Sequence, residues 1–320
     1  MKWIKLGIGA IVLLLALAII RYWTPDISHE ELADKYAVGA SDFITLPSGA
    51  QAHYRMEGNA EGPTILLLHG SNASLHTWEG WVDALETDYL VVTVDLPGHG
   101  LTGPTPADDY TYSGMVAFVD EFTTALDIDH FILGGNSMGG GVSLSYAIAH
   151  PERLQALVLV DAAGTAVPEN TRIPQKLPAA FDLAGHWYSD WILENITPRA
   201  FVLEGLKTSI TDHSLIDEAM IDRYWELVRH PGNRRATGKR FAWYRQGRSD
   251  LPVEQITKPT LILWGDNDSL IPVETGHSLK KRIGGAQLVT YPNIGHIPME
   301  EIPAISANAV KGFLSSLPIG

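Results

Sequence analysis

The segment Leu133 to Gly141, which reads Leu-Gly-Gly-Asn-Ser-Met-Gly-Gly-Gly, limits the possible folds of this chain more than any other. A short apolar run, residues 129–133, precedes it and predicts a buried strand bounded by glycines. A helical pattern follows from Met138 and stops at His150, because the proline after it disfavours helical backbone. A strand, Gly-x-Ser-x-Gly and a helix in this order are the context of a nucleophile elbow, whose tight turn exposes a serine hydroxyl. Ser137 is therefore the candidate nucleophile.

Apolar runs and helical patterns alternate through most of the chain. Continuous apolar runs are typical of strands buried on both faces of a parallel sheet, and we predict such strands at 64–68, 89–94, 129–133, 154–160, 260–264 and 286–291. The spacing of apolar residues predicts helices at 78–85, 112–126, 138–148, 276–283 and 302–314. Turn residues predict a hairpin formed by 42–46 and 51–57. The alternation predicts an α/β fold with a doubly wound, mostly parallel sheet.

The pattern changes between residues 164 and 250. Strands stop there, and helical segments rich in aromatic residues take their place. Because the strand pattern resumes afterwards, we interpret this region as a helical cap inserted between two strands of one sheet. The predicted organisation is an N-terminal membrane anchor or signal at 1–24, an α/β core formed by 25–163 and 251–320, and a cap at 164–250.

The N-terminus carries an uncharged apolar run at residues 6–20, with Lys2 and Lys5 before it and Arg21 after it. The run is shorter than the ~20 residues that span a bilayer, but aromatic and long basic side chains at its ends extend its reach. We expect an uncleaved single-helix anchor formed by residues 3–23, with a cleaved signal and a buried helix as alternatives. The positive charge before the run places the catalytic domain on the non-cytoplasmic side, periplasmic or extracellular, or secreted if the signal is cleaved.

Composition excludes several classes of function. A net charge of −14 and a pI near 5.2 argue against nucleic acid as a partner, because nucleic acid binding needs basic patches. The chain has no cysteine, which excludes thiol nucleophiles, thiolate metal sites and disulfides. Neither His-Glu-x-x-His nor a phosphate-binding Gly-Lys-Ser/Thr sequence is present. We therefore expect neither a metal nor a cofactor.

A serine hydroxyl is a weak nucleophile at neutral pH, so it needs a base, and the base needs an acid that orients it. On a fold with a nucleophile elbow the chain order is serine, carboxylate, histidine. The sequence offers Asp268 after one predicted strand, with Asp266 as the near competitor, and His296 after the next. Ligands bind at the carboxyl ends of strands in open parallel sheets, which is where these residues fall. Asp268 could instead only cap the helix that follows.

With these residues the chain, over about 41–317, resembles the α/β-hydrolase family. The acid of that family is the Asp of Trp-Gly-x-x-Asp, which falls on Asp268, and its base falls on the histidine named above. Some relatives use an acid one strand earlier, which falls on Asp161. The resemblance also implies an oxyanion hole, which uses the backbone N–H groups of Ser71 and Met138.

The resemblance narrows the chemistry. A serine in the elbow argues against the haloalkane dehalogenase and epoxide hydrolase branches, which carry Asp there. Gly-Asn-Ser-Met-Gly-Gly is similar to the elbow of meta-cleavage-product hydrolases, which break C–C bonds in dienoic acids. Those enzymes usually have His-Gly-x-Gly-Pro-Gly in the first loop and Trp after the catalytic histidine, whereas this chain has His-Gly-Ser-Asn and Ile297. The family resemblance therefore implies a carboxylic ester hydrolase acting through an acyl-enzyme, with C–C hydrolysis as the alternative and a non-catalytic binding protein as a third hypothesis.

The expected substrate is a small-molecule ester with an apolar acyl group, because a cap over the strand ends must roof the site. Candidates for the pocket wall are three aromatic residues of the cap, Trp187, Trp191 and Trp243. Asn136, beside the nucleophile, either orients substrate or packs. Three further residues are expected to organise loops rather than to react: His69, Asp95 and His99.

Overall fold

Eight strands form one sheet among the residues described by the computed structural model, which are 19–169, 189–246 and 250–318 with positions 13, 17 and 171. They are β1 (Ser41–Thr45), β2 (Gln51–Gly58), β3 (Thr64–Leu68), β4 (Leu90–Val94), β5 (Phe131–Asn136), β6 (Leu154–Val160), β7 (Thr260–Gly265) and β8 (Gln287–Tyr291). Their order across the sheet is β1-β2-β4-β3-β5-β6-β7-β8. β2 pairs antiparallel with β1 and β4, and the other neighbouring pairs are parallel. The predicted α/β fold with a mostly parallel sheet is confirmed.

The helices fall between the strands as the sequence pattern predicts. Numbered in chain order, they are α1 (His29–Tyr36), α2 (Glu79–Leu85), α3 (Tyr112–Ala125), α4 (Met138–Ala149), α5 (Ser189–Asn195), α6 (Arg199–Ser209), α7 (Glu218–Leu227), α8 (Asn233–Arg245), α9 (Val273–Arg282), α10 (Pro298–Glu301) and α11 (Pro303–Ser315). Short 3₁₀ turns occupy Leu75–Trp78, Pro151–Arg153, His213–Leu215 and Val253–Gln255.

The central strands are buried on both faces because their residues are almost all aliphatic. Along β3 the side chains alternate, so that Leu66 and Leu68 join the apolar cluster on one face of the sheet, and Ile65 and Leu67 join the cluster on the other. Helices α3, α4 and α9 contribute to the first cluster, and α2 and α11 to the second. Burying one such side chain fully stabilises the fold by roughly 1.5–3 kcal/mol. The two clusters therefore fix helices on both sides of the sheet.

Helices α5 to α8 lie between β6 and β7 along the chain. This is where a cap inserted between two strands is predicted, although the boundaries at 164 and 250 remain predictions. Helix α8 joins this region to the core, because Ala236 is buried in the same cluster as the elbow helix α4 and Trp243 packs against that cluster.

The N-terminal segment is attached to the cap region. The backbone N–H of Thr24 donates to the carbonyl of Asn195 at 2.9 Å, and the guanidinium of Arg234 donates to Asp26 at 2.6 Å. Most of the predicted anchor, residues 1–24, lies outside the described residues. Of the helices that are described, none combines the length and the apolar character that a membrane crossing requires.

Candidate active site

The elbow at Ser137 is strained and crowded. Its backbone has φ 50° and ψ −114°, a conformation that L-residues rarely adopt and that costs of order 1–3 kcal/mol. A Cβ added to Gly135 would lie 2.4 Å from the carbonyl oxygen of Gly139, and one added to Gly139 would lie 2.2 Å from that of Leu68. Only glycine lets β5, α4 and the end of β3 approach this closely. The Gly-x-Ser-x-Gly segment therefore forms the predicted strand–turn–helix.

Two of the predicted site residues form a buried pair. The imidazole Nδ1 of His296 and the carboxylate Oδ2 of Asp268 are 2.6 Å apart, and both side chains are almost inaccessible to solvent. The other carboxylate oxygen, Oδ1, accepts the backbone N–H groups of Leu270 and Ile271 at 2.7 and 3.0 Å. Asp268 thus organises the turn and also contacts the histidine. Asp266, the near competitor, is exposed.

Asn136 connects the histidine loop to the elbow. Its side-chain amide donates to the carbonyl oxygen of His296 at 3.0 Å and to that of Val160 at 3.2 Å. The backbone N–H of His296 in turn donates to the carbonyl of Ser209, at the end of α6, at 2.7 Å. His296 is therefore held next to the residue that precedes Ser137. Of the two alternatives for Asn136, these bonds support packing.

The predicted oxyanion donors lie on the two backbone segments that border Ser137. Met138 is the first residue of α4, so its N–H has no acceptor inside the helix. Gly70, immediately before Ser71, lies so close to the elbow that an added Cβ would be 3.2 Å from the Cβ of Ser137 and 2.7 Å from the amide oxygen of Asn136. Both segments therefore lie next to Ser137, as the predicted oxyanion hole requires.

Asp161 forms a third acidic position beside this pair. It is fully buried, and its Oδ1 accepts the backbone N–H of Gly265 at 3.0 Å, while Oδ2 has no partner among the described residues. One ligand-type atom from each of Asp161, Asp268 and His296 fits within 4.8 Å. Burial, followed by the neighbouring charge of Asp268, raises the pKa of Asp161 well above its ordinary value. Burial and the neighbouring carboxylate therefore both favour the protonated form of Asp161.

Asp95 organises the loops after β3 and β4, as predicted. Its carboxylate accepts the backbone N–H groups of Leu75 and Leu101, each at 2.8 Å, and lies 2.7 Å from Nδ1 of His53. Burial alone would raise the pKa of Asp95, but the hydrogen bond and the charge of His53 outweigh it and lower that pKa. The carboxylate is therefore ionised and serves as a fixed acceptor.

His69 and His99 also have the predicted loop-organising role. Nε2 of His69 accepts the backbone N–H of Leu96 at 3.0 Å, and Nδ1 donates to the carbonyl of Gly70 at 2.8 Å. Nδ1 of His99 lies 3.0 Å from the carbonyl of Pro97 and donates to it. Burial lowers the pKa of both histidines, so both are neutral and both ring nitrogens of each are engaged.

The three cap tryptophans have different surroundings. Trp243 is half-buried, with its ring centroid 5.0 Å from that of Tyr112, whose hydroxyl packs against Gly141 of α4. Trp191 is 47% exposed, and its ring packs on Trp23 at 5.9 Å. Trp187 lies outside the described residues.

Two residues with evident roles near the site escaped the sequence analysis. Glu301 accepts the backbone N–H of Gly295 at 2.8 Å through Oε2, and those of Thr211 and Asp212 at 3.1 and 2.9 Å through Oε1. Arg240 is fully buried and contacts the loops that follow β3 and β4. Neither Glu301 nor Arg240 belongs to a sequence motif. Charged residues on helices are usually solvated, so the sequence gives no reason to expect them to be buried.

Comparisons with known proteins agree with this geometry. The family model described as alpha/beta hydrolase fold matches residues 63–303. Lipase 1 of Psychrobacter immobilis is 28% identical over 293 residues, which cover 86% of this chain and 84% of the lipase. The 2-hydroxy-6-oxo-6-(2'-aminophenyl)hexa-2,4-dienoic acid hydrolase of Metapseudomonas resinovorans is 27% identical over 294 residues, 89% of this chain and 95% of that enzyme. The crystal structure of a membrane phospholipase A superposes with a TM-score of 0.73 at 25% identity and covers 99% of both chains.

Proposed function

The chain belongs to the alpha/beta hydrolase fold family and is a hydrolase, and on that basis we propose that it cleaves carboxylic esters through an acyl-enzyme intermediate on Ser137. The observation that carries the proposal is the buried 2.6 Å pair of His296 and Asp268, held by Asn136 beside a strained elbow serine. In acyl transfer the imidazole takes the proton of the serine, and the carboxylate orients the imidazole.

The proposed reaction follows from which atoms are already engaged. Nδ1 of His296 is bound to Asp268, so Nε2 is the nitrogen that takes the proton of Ser137 as its Oγ attacks the ester carbonyl. The backbone N–H groups of Ser71 and Met138 stabilise the oxyanion. His296 then gives its proton to the leaving alcohol, and an acyl-enzyme remains. A water activated by the same Nε2 releases the acid and restores Ser137.

C–C bond hydrolysis is the second candidate. The dienoic acid hydrolase relative and the Gly-Asn-Ser-Met-Gly-Gly elbow favour it. Against it, Ile297 is buried directly after the histidine where those enzymes carry Trp, and the first loop lacks their Gly-Pro-Gly. Lipase relatives and the membrane phospholipase A support the ester reaction. We therefore place ester hydrolysis first.

The experiment is turnover of short p-nitrophenyl esters by the full chain and by Ser137→Ala. Removing the nucleophile is expected to lower kcat by roughly 1,000-fold or more, because the triad acts as a unit. Circular dichroism and the unfolding temperature serve as controls for the fold. If Ser137→Ala keeps its ester turnover, the proposal fails; if the wild type prefers a dienoate ring-fission product to every ester, C–C hydrolysis replaces it.

We also propose that residues 3–23 anchor the enzyme in a membrane, with the catalytic domain on the non-cytoplasmic side. Apolar side chains at the end of this segment are exposed: Ile20 is 73% and Trp23 46% accessible. Phe201, at the start of α6, adds a further exposed aromatic ring at 60%. Exposed apolar side chains of this kind support a membrane contact, and the similar phospholipase is described as a membrane protein.

A further inference from the structure

Arg240, in α8, is a fully buried cation without an acidic partner among the described residues. Its Nη1 donates to Nε2 of His99 at 2.8 Å, and its Nη2 donates to the amide oxygen of Asn72 at 3.4 Å. Nε has no acceptor in the part of the chain that the structure describes. A guanidinium has five N–H donors in a planar fork, so most of its donor capacity is unused.

Two other arginines in the cap region, in contrast, are paired with acids. Arg199 contacts Asp222 at 2.7 Å, and the guanidinium of Arg223 contacts Glu300 at 2.5 Å. Desolvation lowers the pKa of Arg240 to about 10, so this side chain still carries its charge at neutral pH. Burying a charge without a counter-ion costs several kcal/mol. An apolar residue at this position would avoid that cost, which indicates that the charge of Arg240 has a function.

Arg240 lies beside the catalytic loops. Asn72 directly follows Ser71, whose N–H is the proposed oxyanion donor, and its amide oxygen also accepts from the hydroxyl of Thr237 at 3.1 Å. The hydroxyl groups that interact electrostatically with Arg240 belong to Tyr244 and Tyr112. The Tyr112 hydroxyl packs against Gly141 in the first turn of the elbow helix. The guanidinium thus contacts the loop that carries the proposed oxyanion donor, through Asn72, and the loop after β4, through His99.

We propose that Arg240 binds an anionic oxygen group, a carboxylate or a phosphodiester, carried by the ester substrate. The two acceptors that it has, a neutral imidazole and an amide oxygen, orient the fork without neutralising its charge. Carboxylates and phosphates match that fork with two parallel hydrogen bonds. The inference deepens the proposed ester hydrolysis and rests on it: the substrate class becomes an ester with a negative charge near the scissile bond.

The test compares pairs of esters with acyl chains of the same length, one ester neutral and the other anionic. One pair is a monooctanoylglycerol and the corresponding lysophosphatidylglycerol, and the other is p-nitrophenyl hexanoate and the mono-p-nitrophenyl ester of hexanedioic acid. In Arg240→Gln the ratio of kcat/KM for the anionic ester to that for the neutral ester is expected to fall by about tenfold to a hundredfold. A fall confined to the phospholipid pair assigns the phosphodiester, and one confined to the dicarboxylate pair assigns the carboxylate.

The control is Arg235→Gln, an exposed arginine of the same helix, which is expected to leave both ratios unchanged. Equal losses on the neutral and anionic members, or unchanged ratios, would overturn the proposal and leave Arg240 a structural residue. If Arg240→Gln does not fold, Arg240→Lys decides, because it keeps the charge and loses the fork: the ratio must fall at least about threefold. Loss of ester turnover in Ser137→Ala tests the proposed function separately.

Discussion

At the scale of single residues, burial rather than residue type distinguishes the three aspartates near His296. Asp266 and Asp268 are two positions apart, yet one is exposed and the other buried against His296. The Trp-Gly-x-x-Asp pattern predicts Asp268 from the sequence. The raised pKa of Asp161 could not be predicted, because it depends on burial in the fold and on a carboxylate more than a hundred positions away in the chain.

Exchanging each acid for its amide tests this division. In Asp268→Asn we expect kcat on p-nitrophenyl esters to fall by about 1,000-fold or more, because an amide favours the wrong tautomer of the imidazole. Asp266→Asn is the matched control and is expected to stay within about twofold of the wild type, as surface substitutions usually do. A larger loss in Asp266→Asn than in Asp268→Asn would contradict the assignment.

Asp161 predicts a pH dependence of stability. Because its pKa is raised in the folded protein, the native state holds a proton that the unfolded chain releases above about pH 4. Stability associated with Asp161 is therefore full below that pH and is lost as the pH rises toward the folded-state pKa. In Asp161→Asn this loss is absent, so the unfolding free energy of the variant relative to wild type should increase from pH 4.5 to pH 7.5. Urea denaturation at both pH values measures it, and a decrease would be the contrary result.

At the scale of secondary-structure elements, continuous aliphatic runs predict strands best. The bounds of β3 and β6 agree with the prediction, whereas β5 extends to Asn136, three residues beyond it. The sequence does not predict this end of β5, because residues 134 and 135 are glycines and glycine disfavours strands. Glycine is required here because α4 approaches the strand closely. Helix α9 begins at Val273 rather than 276, because Pro272 provides no side-chain cap to signal its start.

The loop between β8 and α10 predicts a further effect. In Glu301→Ala three backbone N–H groups, at residues 211, 212 and 295, lose their acceptor. The N–H of Gly295 is buried, and a buried donor left without an acceptor costs about 1–3 kcal/mol. We therefore expect a lower unfolding temperature and a fall in kcat that exceeds the change in KM, because His296 loses its support. Glu274→Ala, an exposed glutamate of α9, is the matched control. If the two variants behave alike, Glu301 does not position the histidine loop.

At the scale of the whole molecule, the sheet class and the order of the site residues along the chain follow from the sequence. The packing of residues 25–40, the connector that precedes β1, does not. Helix α1 contacts α7 through Lys35 and Tyr36, which both bond to Glu226, at 2.6 and 2.7 Å. Polar contacts between residues 190 positions apart produce no periodic pattern in the sequence, so they could not be predicted from it. The connector is therefore attached to the cap region rather than being a free spacer.

Two truncations separate anchoring from folding. A chain lacking residues 1–22 and one lacking 1–27 are both expected to appear in the soluble fraction, because the proposed anchor is gone. Only the shorter chain loses the bonds of Thr24 and Asp26 to Asn195 and Arg234, so its unfolding temperature should be lower. Retention of the chain lacking 1–22 in the membrane fraction would rule out residues 3–23 as the sole anchor.

The side-chain amide of Asn136 donates to the carbonyl of His296, 160 positions further along the chain. Contacts of such sequence separation form late in folding, because a large loop must be closed first. Ser137 is synthesised well before His296, which follows β8, so under the proposed mechanism the nascent polypeptide lacks its base until the last strand has been added. The proposed mechanism therefore predicts that ester hydrolysis begins only once synthesis of the chain is nearly complete.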